Sequence, residues 1–142
     1  MPVATFIPIV SPLTSGPMPR PIRVMVVDDT DHVLRMLSSM LSLDGFDVVA
    51  EAPGGAAAIE TIEDADPDVV IMDYRMPFMG GLTAARRIRE VRPGQIVVLY
   101  TAFIDEEIER QANDIGVSLC VGKVEGLASL EREISRLCAA LF

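Results

Sequence analysis

A single histidine, a single lysine, two cysteines and no long apolar run set the first limits on this 142-residue chain. Two cysteines cannot build a disulfide framework. Cys120 and Cys138 both sit in apolar stretches and read as small buried hydrophobes of a reducing, cytoplasmic compartment. No segment approaches the roughly 20 apolar residues of a membrane span. Positive charge is also scarce: 12 Lys and Arg face 21 Asp and Glu, for a net charge of −9 and a pI near 4.5. Phosphate repels such a surface, which argues against nucleic acid as the partner. Half the residues are apolar, enough for one folded domain with a substantial core.

Proline is unevenly spread. Six of the ten prolines fall in MPVATFIPIVSPLTSGPMPRP, residues 1–21, through which neither strand nor helix can run. The stretch lacks the basic start and unbroken apolar centre of a signal peptide. It reads as a flexible arm ahead of a domain at 22–142, and Met18 is an alternative start of translation.

From Ile22 onward, apolar runs alternate with helical spacings. IRVMVV (22–27) reads as a strand buried on both faces. Val33, Met36, Leu37, Met40 and Leu41 mark a helix that Asp44-Gly45 closes, and they predict its buried stripe. Strands follow at 46–51, 67–73, 95–101 and 117–121, and helices at 54–64, 81–91 and 105–115. Leu127, Leu130, Ile134, Leu137 and Leu141 form the stripe of a last helix. Five βα units imply a parallel sheet with helices on both faces. Arg86, Arg87, Arg89 and Arg92 read as a solvated face, and Asp105–Glu109 as a helix start. His32 reads as a solvated residue of the first helical turn.

In such sheets ligands bind beyond the carboxyl ends of the strands. There the first strand delivers Asp28 and Asp29, the third Asp73, the fourth Thr101, and the fifth stops just before Lys123, the sole lysine. Adjacent carboxylates repel unless a cation sits between them. Three acids with no His or Cys cluster suit a hard divalent cation, Mg²⁺ rather than zinc. Magnesium among carboxylates points to phosphoryl chemistry, in which an aspartate can serve as nucleophile. Lysine offers a point charge and threonine a hydroxyl donor to the same group. The alternative for an isolated Asp-Asp is a helix cap, with Asp29 or Thr30 capping the first helix.

DD (28–29), MDYRMPFMGGL (72–82), TA (101–102) and the lone Lys123 together resemble the receiver domain of two-component response regulators, over about 22–142. The resemblance implies a flavodoxin-like, doubly wound (βα)5 fold with a five-stranded parallel sheet in the order 2-1-3-4-5. It implies transfer of a phosphoryl group from a histidine kinase or phosphotransfer protein to Asp73, with Mg²⁺ (or Mn²⁺) as cofactor. By position Asp29 and Asp73 are metal ligands, Asp28 acts largely through bound water, and the main-chain carbonyl of Arg75 completes the set. Thr101 and Lys123 contact the phosphoryl group. Such a protein speeds its own phosphorylation and slowly dephosphorylates itself, but is no turnover enzyme.

Three departures from the family stand out. Lys123 is followed by Val124 instead of proline, which predicts a trans bond and a reshaped loop. Cys120 replaces the aromatic or histidine that turns inward on activation, and is too small for that motion. Arg75 and Phe103 flank the site, with the arginine leaning over the acids and the phenylalanine hindering water, which predicts slow self-dephosphorylation. No segment follows the fifth helix, so the expected protein is a single-domain bacterial regulator whose output is protein contact through helix four, strand five and helix five. Helix one is the expected kinase-docking element, with Leu34 off the buried stripe. The competing reading is a phosphorylation-independent pseudo-receiver, an interaction module. A haloacid-dehalogenase phosphatase needs an acid at position 75, where arginine stands, and a dinucleotide enzyme needs a glycine-rich turn after the first strand.

Overall fold

The computed structural model describes residues 20–139. Along the chain run β1 (Arg23–Val27), α1 (Asp31–Leu43), β2 (Asp47–Ala52), α2 (Gly55–Ala65), β3 (Val69–Met72) and α3 (Gly81–Val91). They are followed by β4 (Ile96–Thr101), α4 (Glu106–Asp114), β5 (Leu119–Gly122), one 3₁₀ turn (Lys123–Glu125) and α5 (Leu127–Cys138). All strand pairs are parallel, in the order β2-β1-β3-β4-β5. That is the doubly wound arrangement expected. Leu141 and nearly all of the proline-rich arm lie outside the described residues. Among those described, no helix is long and apolar enough to cross a membrane.

Side chains alternate across a strand, so each apolar run feeds two cores. Met25, Val27, Val70, Met72, Val97 and Leu99 pack beneath α2, α3 and α4, meeting Ala58, Ile62, Ala84, Ile88 and Ile108. Val24, Val26, Val69, Ile71, Val98 and Tyr100 face α1 and α5, meeting Leu34, Leu37, Leu41, Leu130, Ile134 and Cys138. Cys138 is buried and Cys120 half-buried, with both thiols pushed up by burial, Cys138 to about 11. They fit as hydrophobes.

Helix α1 corrects the predicted stripe. Leu34, Leu37, Ser38 and Leu41 face the sheet, whereas Met36 and Met40 stand 55% and 43% exposed. Leu34 is therefore core, not a docking residue. The apolar arc of α1, from Val33 to Leu43, is wider than one sheet face can cover. The sheet takes the half bearing three leucines, with Ser38 at close quarters. Helix α5 keeps its stripe, with Cys138 as its last buried member.

Arg89 and Arg92 also depart from the solvated face that Arg86 and Arg87 do occupy. Arg89 Nη1 donates to the Gln95 carbonyl at 2.7 Å, Arg92 Nε donates to Gln95 Oε1 at 2.8 Å, and Arg92 Nη2 donates to Asp66 at 2.7 Å. They brace the buried Gln95 at the foot of β4. Arg20, assigned to the arm by composition, forms a two-pronged pair with Asp68 at 2.7 and 2.9 Å, which lowers the Asp68 pKa. His32 is exposed in the first turn of α1, as expected.

Between α1 and α5, the Glu131 carboxyl faces Asp44, and its Oε2 is buried without a hydrogen-bond partner. Burial and the Asp44 carboxylate raise the Glu131 pKa from 4.5 to about 7. The folded state then holds a proton that the unfolded state releases above 4.5. The resulting stability is complete below that value and lost as pH rises through about 7. Glu131→Gln is expected to match the parent at pH 4 and exceed it by about 1 kcal/mol at pH 8, after allowance for solvent screening. Denaturant melts at the two pH values check this, and an equal difference at both would refute it.

Candidate phosphoryl-acceptor site

Each strand of the sheet centre ends in a polar residue because its last apolar side chain marks where the helices stop covering it. Asp28 follows β1 and is 2% exposed. Its N–H donates to the Ala52 carbonyl (3.1 Å), its Oδ1 accepts from Thr30 N (2.9 Å), and its Oδ2 accepts from Lys123 Nζ (3.0 Å). Thr30 occupies the N-cap of α1 without a side-chain bond, so neither it nor Asp29 is spent as a side-chain cap. Asp29 is exposed. Asp73 follows β3, its N–H donating to the Val27 carbonyl (3.0 Å) and its Oδ1 accepting from Tyr74 N (2.9 Å).

One oxygen from each of Asp28, Asp29 and Asp73 lies within 4.8 Å of the others. That set, all oxygen and all anionic, fits one small hard cation with ligands at about 2.0–2.1 Å. Thr101, 2% exposed at the end of β4, sets its hydroxyl near enough to Asp73 to pull that carboxyl's pKa down. Lys123 Nζ stands 4.0 Å from Asp73 Oδ1 and 6.0 Å from the Tyr100 ring centre. Burial raises the Asp73 pKa most; Lys123 opposes the shift, Asp28 adds to it, and the Thr101 hydroxyl and Tyr74 N–H pull it down.

The structure thus brings together Asp28, Asp29, Asp73, Thr101 and Lys123, all expected from strand ends. The Lys123–Val124 bond is trans, and the 3₁₀ turn that follows is held by Glu125, which accepts from Gly122 N at 3.3 Å. Gly126 closes it at φ +90°, where a side chain would be strained. The reshaped loop still delivers the lysine.

Arg75 does not lean over the acids. Its guanidinium lies 6.0 Å from the Phe103 ring centre, and among the described residues it makes no ion pair with them. Arg75 and Phe103 instead meet each other, joining the β3–α3 and β4–α4 loops. The acids already have Lys123 within reach, and the aromatic face offers the guanidinium a less hydrated seat. Cys120 sits beside Leu99 in β5, half-buried. Glu125 was missed as a site-shaping residue, its only sequence signal the glycine beside it in Glu125-Gly126. Gly81 lies in the MDYRMPFMGGL stretch that carries the resemblance but was given no role of its own.

Comparison with known proteins adds an independent line. The response regulator receiver domain family matches residues 24–135. The chain is 35% identical over 132 residues to the regulatory protein AtoC of Escherichia coli, covering 84% of this chain but 28% of AtoC. It is 32% identical over 147 residues to the transcriptional regulatory protein PdtaR of Mycobacterium tuberculosis, covering 92% of this chain and 71% of PdtaR. A two-component response regulator of the LuxR family from Aurantimonas superposes with a TM-score of 0.80 at 29% identity, over 84% of this chain and 86% of that one.

Proposed function

The chain belongs to the response regulator receiver family, and on that premise we propose that it accepts a phosphoryl group on Asp73, in a Mg²⁺-dependent reaction, from a sensor histidine kinase or phosphotransfer protein. It then signals by protein–protein contact. The observation that carries this reading is the meeting of three carboxylates, one ammonium and one buried hydroxyl at a single sheet edge.

An Asp73 carboxylate oxygen attacks phosphorus, the P–N bond of the phosphohistidine breaks, and the imidazole leaves with the electron pair. Asp28, Asp29 and Asp73, with the main-chain carbonyl of Arg75, would hold Mg²⁺ (or Mn²⁺), which neutralises charge on the phosphoryl oxygens when bound. Lys123 needs only to turn from Asp28 toward Asp73 to pair with one of those oxygens. The Thr101 hydroxyl donates to another. Hydroxylamine treatment tests the linkage: an acyl phosphate yields a hydroxamate at Asp73 in peptide mapping. Phosphate retained on a serine or threonine would refute it.

Slow self-dephosphorylation is the expected consequence of the Arg75–Phe103 contact. Each of the two residues lies two positions beyond a site residue, Asp73 and Thr101, where the pair would hinder water on its way to the acyl phosphate. Arg75→Ala and Phe103→Ala are each expected to shorten the phosphorylated lifetime, roughly 2- to 10-fold. Phosphate release after removal of the donor reads this out, and unchanged lifetimes in both variants exclude it. For donor docking, α1 offers Met36 and Met40 as exposed apolar residues. Output passes through the face of α4, β5 and α5.

A further inference from the structure

Gly81, the first residue of α3, touches the phosphoacceptor's own backbone. A Cβ there would overlap the Asp73 carbonyl oxygen and come within 3.0 Å of both the Asp73 carbonyl carbon and Tyr74 Cα. These are main-chain atoms, unable to swing aside. Gly81 N also donates to the Tyr74 carbonyl at 2.8 Å, so the end of α3 is tied to the same segment. On its other side, Asp73 N is held by the Val27 carbonyl of β1 at 3.0 Å.

The peptide joining Asp73 to Tyr74 is a rigid plane carrying the Asp73 C=O and the Tyr74 N–H. That N–H is the donor holding Asp73 Oδ1 at 2.9 Å. A push on the carbonyl rotates the plane, swings the N–H off Oδ1 and frees the carboxylate to turn. We propose that Gly81 is a positioning residue: by lacking a side chain it lets α3 seat against the 73–74 peptide and fixes the orientation of the Asp73 carboxylate. The proposal rests on the reading of Asp73 as metal ligand and phosphoacceptor.

Two other glycines supply controls. A Cβ on Gly55 would meet Ala84 Cβ of α3 and Met79 Sδ of the preceding loop at 2.9 Å, a strained contact whose nearest atoms are not those of the 73–74 peptide. One on Gly80 would meet only the Tyr74 carbonyl oxygen at 3.6 Å, an ordinary distance. Mg²⁺ titrations of the full chain, followed by amide NMR where each variant is folded, are expected to show at least a 10-fold weaker affinity for Gly81→Ala. Gly55→Ala should melt at lower temperature yet bind within twofold of the parent, as should Gly80→Ala. Without metal, the Tyr74 amide should lose at least 10-fold of its exchange protection in Gly81→Ala alone. Should Gly81→Ala fail to fold, parent protein decides: Mg²⁺ should slow Gly81 amide exchange at least fivefold and that of Ala58 in α2 less than twofold. Parent-like affinity and Tyr74 protection in Gly81→Ala, equal losses in Gly55→Ala, or an indifferent Gly81 amide would each overturn the assignment. A parent protein that binds no Mg²⁺ would overturn the metal reading instead, while the Tyr74 protection still judges Gly81.

Discussion

Lys123→Ala is expected to lower stability by about 2 kcal/mol in Mg²⁺-free buffer, a fall in Tm of about 8 °C. The Lys123 ammonium pairs at 3.0 Å with Asp28, whose side chain is almost wholly buried, and it also faces Asp73. Removing it leaves buried like charges uncompensated. Breaking a fully buried pair costs about 3–5 kcal/mol, and the water-facing side of this one reduces that. A divalent cation held by the same acids restores much of the loss, so the rise in Tm on adding Mg²⁺ should be larger in Lys123→Ala than in the parent. Melts with and without Mg²⁺ measure both effects. Equal melting temperatures in Mg²⁺-free buffer would mean that the lysine does not hold the acids together.

Asp73→Asn is expected to move stability the other way, with a gain of about 0.5–2 kcal/mol in Mg²⁺-free buffer. Burial and Asp28 both disfavour charge on Asp73, as its raised pKa records. Asparagine keeps an oxygen for the Tyr74 N–H while shedding that charge. The same change removes a metal ligand, so Mg²⁺ affinity should fall at least 10-fold. A variant both more stable and poorer at binding Mg²⁺ is the signature of a site that gives up stability for chemistry. Destabilisation would show that the Asp73 charge is well compensated and contradict that account.

Most of the fold was legible because apolar strands buried on both faces leave unbroken runs, and their ends mark where polar chemistry can begin. Asp28, Asp73, Thr101 and the position of Lys123 followed from those ends alone. The phase of α1 did not, because its apolar arc admits two stripes and only the packing against the sheet chooses between them. Arg89 and Arg92 looked solvated since their acceptor, Gln95, is brought under them by the turn after α3. The facing of Glu131 and Asp44 spans distant parts of the chain and leaves no local pattern. Arg75 reads from sequence as a partner of the acids because its charge points that way, and Phe103 as a barrier to water; that the two side chains meet each other shows only in the structure. Gly81 was visible as a glycine, but its role lies in a contact across the loop of residues 73–80, whose path only coordinates show.

On the proposed function, Asp73 takes up a phosphoryl group with help from a divalent cation. Intact mass after incubation with a small phosphodonor, with Mg²⁺ and again with a chelator, tests it most directly, beside the Asp73→Asn variant. One phosphoryl adduct that requires Mg²⁺ and is absent from the variant is the predicted result. Folded protein that binds Mg²⁺ but takes up nothing, or an adduct that persists in Asp73→Asn, would contradict the account.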